Sequence, residues 1–300
     1  MAEMTATLSC HGQARYGRYT VQRLRDPGRV RPLLEQDRPY AAYAIAQLEP
    51  RRFIYCDWYT AVGPSGQALL LHSRGGLGQA LFTIGDPAAL DAALSLHPGP
   101  RFTFGSLRPE HRPVVESYFF LTRRQQMLRM SVTRQGFQPA NGPALRLLGR
   151  DIAAINRLYS AEGGPASYRP HHIDEGVYFG ALEDGRLAAI AGTHVVSAAE
   201  GVAVVGNVFT HPRYRGRGLA TIVTSAVTDE LLQACPLVVL TVDAANEPAV
   251  KAYRRLGYQT HCTLHESPLI RKEPFGVLSL ARRFAAAWRG REQDSEVVIR

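Results

Sequence analysis

Two short and almost wholly apolar runs lie on either side of a loop that is rich in arginine and glycine. The first is GVAVVGNVFT (Gly201–Thr210) and the second is LVVLTVD (Leu237–Asp243), each too short for an ordinary buried helix and rich in β-branched residues. Between them, the loop HPRYRGRG leads into apolar residues at helical spacing from about Leu219 to Ala234. The pattern predicts strand, loop, helix and strand, and the first strand is expected to be central because it is apolar on both faces.

The flanking segments extend this alternation of helices and strands. DIAAINRLYSAEG (Asp151–Gly163) predicts a helix with an Asp cap, and Asp184-Gly185 between two β-rich runs predicts a hairpin. NEPAVKAYRRLGY predicts a helix with Asn246 near its start and Gly257 at its end. A last strand follows in TLHESPLIR.

The first half of the chain shows the same succession of elements, with weaker sequence signals. A helix in residues 31–48, three strands in residues 51–85, and then helix, strand, helix and strand are predicted up to residue 134. No visible sequence identity links the halves, so duplication is a hypothesis. The Gly- and Pro-rich stretch at Gly136–Leu145 predicts the join, which indicates domains at 1–135 and 145–271 and an extension at 272–300.

Charge and composition limit the class of partner. Lys+Arg 35 against Asp+Glu 26 gives a net charge of +9, which favours an anionic partner such as nucleic acid, a membrane surface or a phosphorylated small molecule. No apolar run is long enough to span a bilayer, and the N-terminus lacks the apolar core of a signal peptide. The four cysteines are scattered without metal spacing, so we expect a cytoplasmic protein without a structural metal.

The arginine–glycine loop has the chemistry of a phosphate site. A loop that enters a helix presents unpaired backbone N–H groups at the positive end of the helix dipole, and glycines allow close approach of a ligand. Arg213, Arg215 and Arg217 add fixed positive charge. A plain tight turn with solvated arginines and a short RNA-binding patch are the alternatives. The glycines are not followed by Lys-Ser/Thr and do not match GxGxxG, so neither a P-loop nor a dinucleotide fingerprint is present.

Two segments resemble the GNAT superfamily of acyl-CoA-dependent N-acyltransferases. R-Y-R-G-R-G (Arg213–Gly218) resembles the family loop R/Q-x-x-G-x-G/A, and VFTHPRYR before it resembles the strand that enters this loop. Asn246–Tyr258 resembles the downstream segment N-x-x-A-x-x-x-Y-x-x-x-G-F/Y. The resemblance covers about Asp151 to Arg271. It implies an α/β fold of the α+β type, with a mixed, mostly antiparallel sheet flanked by helices, in two tandem copies of which the first is degenerate.

The resemblance also implies where acetyl-CoA binds. The strand Gly201–Thr210 would separate from the strand Leu237–Asp243, and the pantetheine arm would lie in the gap. A backbone N–H near Val208 would stabilise the oxyanion. The residues expected at the coenzyme are Val208, Phe209, Thr210, Arg213, Arg215, Gly216, Arg217, Gly218, Leu219, Ala220 and Asn246.

Catalytic and acceptor residues follow from the same resemblance. Tyr253 is the candidate general acid that protonates the departing thiolate, with a core tyrosine as the alternative. Many relatives carry a glutamate on the strand before the loop, whereas Val202–Thr210 has neither carboxylate nor histidine. Glu200 and His194 are the candidate bases acting through water, and deprotonation by bulk water is the alternative.

The acceptor pocket is expected near Ser167–Gly176, a region that lines the amine site in relatives. Tyr168, His171 and His172 are its candidate residues, and the paired histidines lack a third metal ligand. The C-terminal segment Glu273–Arg291 predicts an amphipathic helix that docks on its own domain, with a membrane surface or a partner as the alternative.

The sequence therefore predicts an N-acetyltransferase that acetylates a primary amine of a small molecule or peptide. It is expected to act without a metal or a nucleic-acid partner, and a homodimer is possible. A CoA-binding sensor and an RNA- or ribosome-associated acetyltransferase are the alternatives.

Overall fold

A computed structural model describes residues 13–75, 78–123, 125–162, 167–273 and 275–296. Its contacts divide the chain into two compact units. The first unit comprises described residues within 1–36, 50–125 and 264–300, and the second comprises 37–49 and the described residues within 126–263.

The helices and strands follow one another in this order: β1 Gln13–Tyr16, β2 Tyr19–Leu24, α1 Pro27–Glu35, α2 Arg38–Ala46, α3 Pro50–Phe53, β3 Cys56–Gly63, β4 Gly66–Ser73, β5 Ala80–Gly85, α4 Pro87–Leu96, β6 Phe102–Leu107, α5 Arg112–Tyr118, β7 Phe119–Leu121, β8 Gln125–Val132, β9 Leu145–Arg146, α6 Ile152–Tyr159, α7 Pro170–Asp174, β10 Phe179–Glu183, β11 Arg186–Ser197, β12 Val202–Thr210, α8 Leu219–Ala234, β13 Leu237–Asp243, α9 Glu247–Arg255, β14 Gln259–Arg271 and α10 Val277–Glu296.

In the first unit, β1 to β5 form an antiparallel meander, and β6 is parallel to β5. Residues 265–270 of β14 pair antiparallel with β6, and β7 pairs with the end of the same strand. Helix α4 packs on β3 and β4 through small and apolar residues, among them Ala89, Leu90 and Ala93, which are fully buried. The parallel pair β5–β6 is joined by α4, as expected for a strand–helix–strand crossover.

In the second unit, β9 to β12 are antiparallel neighbours, β13 is parallel to β12, and β8 is antiparallel to β13. Helix α8 packs on one face, where Val223 and Val227 share a core with Val205 and Leu240. Side chains alternate along a strand, so Val204 and Val239 face the opposite side. Helix α2 contacts β11, β12 and β13 on that opposite side.

The last strand of each unit comes from the other half of the chain. β8 follows the first half in sequence and completes the sheet of the second unit, while residues 264–271 complete the sheet of the first. Helix α2 likewise belongs to the second unit. The units therefore cross the boundaries 1–135 and 145–271, and those boundaries remain a prediction about domains.

Most elements predicted in residues 145–271 are confirmed. Asp184 and Gly185 form the hairpin turn with φ of 51° and 70°, and α8 and β13 have the predicted bounds. Asp151 differs, because its carboxylate accepts from the N–H of Leu148 instead of capping the helix. The Gly163 stop lies outside the described residues.

The first half departs further from prediction. Residues 31–48 form the two helices α1 and α2, because Asp37 starts a new helix by accepting a hydrogen bond from the N–H of Tyr40. The strands β1, β2, β7 and β9 were not predicted, and residues 51–53, which were predicted to begin a strand, belong to the helix α3. Among the described cysteines, Cys56, Cys235 and Cys262 are free thiols, and Cys10 lies outside the described residues.

Candidate active site

The central feature of the second unit is a gap between the parallel strands β12 and β13. Their pairing runs from Val202↔Leu237 to Val205↔Leu240 and then stops, although β12 continues to Thr210 and β13 to Asp243. The side chains of β12 change from buried to half-buried at Gly206. The hydroxyls of Thr210 and Thr241 are buried there without a hydrogen-bond partner. The gap thus has polar groups that the described residues leave unsatisfied.

A network of tyrosines holds β12 in its diverging path. Asn207 lies in the left-handed region with φ of 55°, which asparagine adopts more readily than most residues. Its backbone C=O accepts from the hydroxyl of Tyr159 at 2.6 Å, and its Oδ1 accepts from Tyr168 at 2.8 Å. Its Nδ2 donates to the hydroxyl of Tyr178 at 2.9 Å. The irregularity in β12 is therefore a supported feature of the strand.

The loop after β12 delivers free N–H groups to the start of α8. Gly216 and Gly218 both have φ of 80°, a conformation that favours glycine, and Gly218 is the N-cap residue without a side-chain cap. The backbone N–H groups of residues 218–221 donate to no acceptor within the described parts of the chain. The N–H of Arg215, predicted to bind the coenzyme, is instead used in the turn, where it donates to the C=O of Pro212 at 3.3 Å.

The three arginines of the loop each lie beside a carboxylate at the surface. Arg213 is 3.9 Å from Asp184, Arg215 is 2.7 Å from Glu162, and Arg217 is 3.5 Å from Glu183. Exposed ion pairs of this kind contribute little, so the arginines can exchange these partners for another anion. The buried Tyr214, whose hydroxyl donates to Asp184 at 3.0 Å, anchors the loop.

Helix α9 begins at the predicted asparagine. Asn246 is the N-cap, and its Oδ1 accepts from the N–H of Ala249 at 3.2 Å. Gly257, with φ of 89°, follows the end of the helix. Its position leaves no room for a side chain, because an added Cβ would lie 1.8 Å from the carbonyl oxygen of Gly136.

Tyr253 on α9 is 7% exposed within the core of the second unit. Its ring makes an edge contact with Tyr258 at 6.1 Å, and its hydroxyl has no hydrogen-bond partner among the described residues. Burial raises the pKa of Tyr253 to about 12. The hydroxyl is therefore a proton donor at neutral pH.

His194 lies on β11, over the point where β12 leaves β13. A Cβ placed on Gly206 would meet the His194 Nε2 at 2.3 Å, so the imidazole lies directly over the strand. Its Nδ1 shares a hydrogen bond of 2.5 Å with the hydroxyl of Tyr43 on α2. Burial lowers the pKa of His194, and the charge of Arg129 acts in the same direction. The imidazole is therefore neutral at pH 7 and can accept a proton.

Glu200, the other candidate base, lies away from the point where β12 leaves β13. It lies in the turn between β11 and β12, where its backbone C=O accepts from Arg38. Gly206 lies six positions further along the chain, which is roughly 20 Å at the rise of an extended chain. A general base must lie within hydrogen-bond reach of its proton, directly or through one water, so Glu200 does not fit this role.

The three residues predicted for the acceptor side lie next to one another, because the ring of His172 makes edge contacts with Tyr168 at 6.4 Å and with His171 at 4.1 Å between ring centres. Tyr168 stacks on Tyr159 at 4.8 Å and is part of the Asn207 network. His171 and His172 are exposed on the short helix α7. In the described parts of the chain, no group of His, Cys, Asp and Glu is placed to hold a metal ion.

Four site residues were not predicted from the sequence: Tyr43, Arg129, Asn207 and Thr241. Arg129 has a local signal, since it is a charged residue inside the apolar strand QQMLRMSV. Tyr43 has none, because its role depends on α2 crossing to the second unit. Tyr43 and Arg129 both lie outside the segment that resembled a known family.

Comparison with known proteins agrees with this geometry. Residues 152–258 match the family described as Acetyltransferase (GNAT) family. No curated protein in the comparison matches the chain. Three solved structures similar to this chain are a GCN5-related N-acetyltransferase from Kribbella flavida, a Drosophila protein, and a tandem GNAT protein from the clavulanic acid biosynthesis pathway.

The first two of these show that the fold is shared. The Kribbella protein is 19% identical with a TM-score of 0.54, covering 79% of this chain and 95% of its own. The Drosophila protein is 16% identical with a TM-score of 0.55, covering 85% and 98%. The tandem protein is 12% identical with a TM-score of 0.48, covering 85% and 99%.

The chain contains a GNAT acetyltransferase domain over residues 152–258, and the protein is an acyltransferase. The predicted mixed and mostly antiparallel sheet flanked by helices is confirmed. Within the described residues, no helix combines the length and the apolar composition needed to cross a membrane.

Proposed function

We propose that the second unit transfers a short acyl group, with acetyl as the first candidate, from acyl-CoA to a primary amine. One observation carries this proposal: the four N–H groups of residues 218–221 donate to no acceptor among the described residues, and they lie at the end of the loop that follows the strand separating from β13. A pyrophosphate fits such a helix N-terminus, because unpaired donors and the helix dipole favour the same negative charge.

The gap between the strands fits the arm that links the pyrophosphate to the acyl group. Gly206–Thr210 and Thr241–Asp243 leave backbone edges that do not pair with each other. An extended amide-containing chain can pair with such an edge as an added strand does. The unpartnered hydroxyl of Thr210 would gain a partner from it. A free N–H near Val208 would polarise the carbonyl to be attacked.

Acyl-CoA supplies the acyl group as an activated thioester. The amine nitrogen forms the new N–C bond, the C–S bond breaks, and its electron pair leaves with the sulfur. In this proposal His194 takes a proton from the amine, directly or through water. Its neutral imidazole, which lies over Gly206, supports this role. Tyr253, on the α8 side of the sheet, protonates the sulfur, and its protonated hydroxyl supports this role. Bulk water remains the alternative base.

The first unit is proposed to lack this activity. The loop before α4 contains Asp86 in place of the arginines, and its carboxylate accepts from the N–H of Ala89 at 2.8 Å and from Ser65 at 2.5 Å. An aspartate cap satisfies the helix N-terminus and repels a phosphate. This arrangement supports a degenerate copy, in which the anion site has been replaced by an ordinary helix cap.

The loop can be tested with a pair of isosteric substitutions, Gly216→Asp and Gly216→Asn. Both residues tolerate positive φ, and an added Cβ at this position meets nothing within 4 Å. Only the aspartate adds a negative charge beside the N–H groups. We expect CoA affinity to fall about 10-fold or more for Gly216→Asp and much less for Gly216→Asn. Thermal shift and calorimetric titration with CoA measure this difference.

Equal CoA affinity in the two variants would contradict pyrophosphate binding at this loop. A separate assay identifies the acceptor. It follows thiol release from acetyl-CoA in the presence of amino acids, polyamines, peptides or aminoglycosides. CoA binding without release for any amine would favour the sensor, which the missing strand glutamate also favours.

A further inference from the structure

A buried cation on β8 has no anionic partner among the residues that the structure describes. Arg129 is 1% exposed, and its Nε and Nη1 have no hydrogen-bond partner among the described residues. Its guanidinium lies 5.0 Å from the centre of the Tyr43 ring, which holds it by cation–π contact. No carboxylate in the described residues forms an ion pair with it. A buried charge of this kind is costly unless a partner compensates for it.

A second unsatisfied group lies directly beside Arg129. Thr241 is its cross-strand neighbour in the antiparallel pair β8–β13, so both side chains are on the same face. The buried hydroxyl of Thr241 also lacks a partner among the described residues. Thr241 is the first residue of β13 beyond the last pair with β12, so both groups lie where the gap opens.

The candidate base is on the same face of this sheet. Tyr43 connects the two sides of the cluster, because its ring contacts Arg129 and its hydroxyl bonds to His194. An acceptor held by Arg129 and Thr241 at one end would therefore have its other end directed toward His194. The cation and the neutral base are separated by one aromatic side chain, a spacing suited to a compact molecule with two functional groups.

We propose that the acceptor is an amine that also bears a carboxylate, as an amino acid does, and that Arg129 and Thr241 bind the carboxylate. The proposal rests on the function proposed above. A planar guanidinium matches a carboxylate in shape and charge, and one cation with one hydroxyl suits a single negative charge. A cationic polyamine would place like charges together at this site.

The test compares amino acids with their own amides in assays of thiol release from acetyl-CoA. The amide keeps the amine and removes the negative charge. We expect the wild-type protein to prefer the carboxylate by about 100-fold or more in kcat/KM, the range seen when one partner of a buried charge pair is removed. Arg129→Met should abolish this preference while the rate with the amides changes about 3-fold or less.

Two controls separate this role from a structural one. Arg134→Gln removes an exposed arginine two residues beyond the same strand and should keep the full preference. Arg129→Met removes an unpaired buried charge, so its Tm should equal or exceed that of the wild type. The Tm increase caused by CoA should persist in both variants.

The outcomes distinguish the two proposals. Equal use of acids and amides, or a preference for amides, with the CoA-induced Tm increase intact, overturns the carboxylate proposal alone. Turnover of no acceptor by a protein that binds CoA also overturns it. A wild-type protein whose Tm does not respond to CoA contradicts the proposed function itself, and the carboxylate proposal then fails with it.

Discussion

Two tyrosines five residues apart in the second unit have different surroundings. Tyr258 is 1% exposed and shares a hydrogen bond of 2.8 Å with the hydroxyl of Thr228. Tyr253 is slightly more exposed, and its hydroxyl has no partner in the part of the chain that the structure describes. Buried tyrosine hydroxyls are usually hydrogen-bonded, so of these two hydroxyls only that of Tyr253 is left available to donate to a ligand.

Replacing Tyr253 by Phe removes only the unpartnered hydroxyl. We expect kcat to fall roughly 10- to 100-fold, because the leaving sulfur loses its proton donor, while the Kd for acetyl-CoA changes little. Since no internal hydrogen bond is lost, Tm should stay close to the wild-type value. Steady-state kinetics, calorimetric titration and thermal denaturation measure these three quantities.

Tyr258→Phe is the matched control for this substitution. It removes a buried hydrogen bond at a cost of about 1 kcal/mol, so it should lower Tm by a few degrees and leave kcat unchanged. If the two variants instead show the same kcat, Tyr253 has a packing role, and the proton donor to sulfur is another group.

At the scale of elements, the second unit depends on two segments from the first half of the chain. β8 pairs with β13 over six residues, from Val238↔Val132 to Asp243↔Met127. Helix α2 covers the face that contains Arg129 and His194. Without these segments, β13 would be an exposed apolar edge, which favours aggregation.

This dependence predicts that the linear second half does not fold alone. A fragment of residues 136–300 lacks β8 and α2, so we expect it to be largely insoluble and to show no Tm increase with CoA. Co-expression with residues 1–135 should restore both properties, because the missing strand and helix are then supplied by a second chain. A soluble 136–300 fragment that binds CoA by itself would show that the exchanged segments are dispensable.

At the scale of the whole molecule, neutral buried histidines couple stability to pH. Burial lowers the pKa of His72 to about 4 and that of His97 to about 4. The His72 Nε2 bonds to the C=O of His97 at 2.9 Å, and the His97 ring stacks on Tyr59 at 4.0 Å. Between pH 6.5 and 4 the unfolded chain binds more protons at these sites than the folded one. Their contribution is therefore fully present above pH 6.5 and is lost as pH falls.

We accordingly expect Tm to fall between pH 7 and pH 4.5, on the order of 5 °C or more. The Tm of the His72→Gln variant should fall less over this pH range, because glutamine does not titrate and its amide can keep the hydrogen bond to residue 97. Calorimetric scans in a buffer series measure both slopes. Identical slopes would show that His72 does not contribute to the pH dependence.

The sequence alone determined the segment from β12 to α9. Its signals are local: apolar runs, glycines at positive φ in the loop after β12, the Asn246 cap and the Gly257 stop act within a few residues. For the same reason, the family resemblance and the candidate proton donor Tyr253 could be recognised from the residues of this segment alone. Such signals do not depend on where distant segments lie.

The base and the acceptor side could not be chosen in this way. In the sequence, Glu200 and His194 were equal candidates for the base. The pairing of β11 with β12 distinguishes them, because it puts Glu200 in the turn between these strands, away from Gly206. Tyr43 and His194 are 151 residues apart in sequence and bond across α2 and β11. Only the tertiary structure decided these contacts, because long-range pairing depends on the complementarity of whole faces and edges, for which no short stretch of sequence contains a signal.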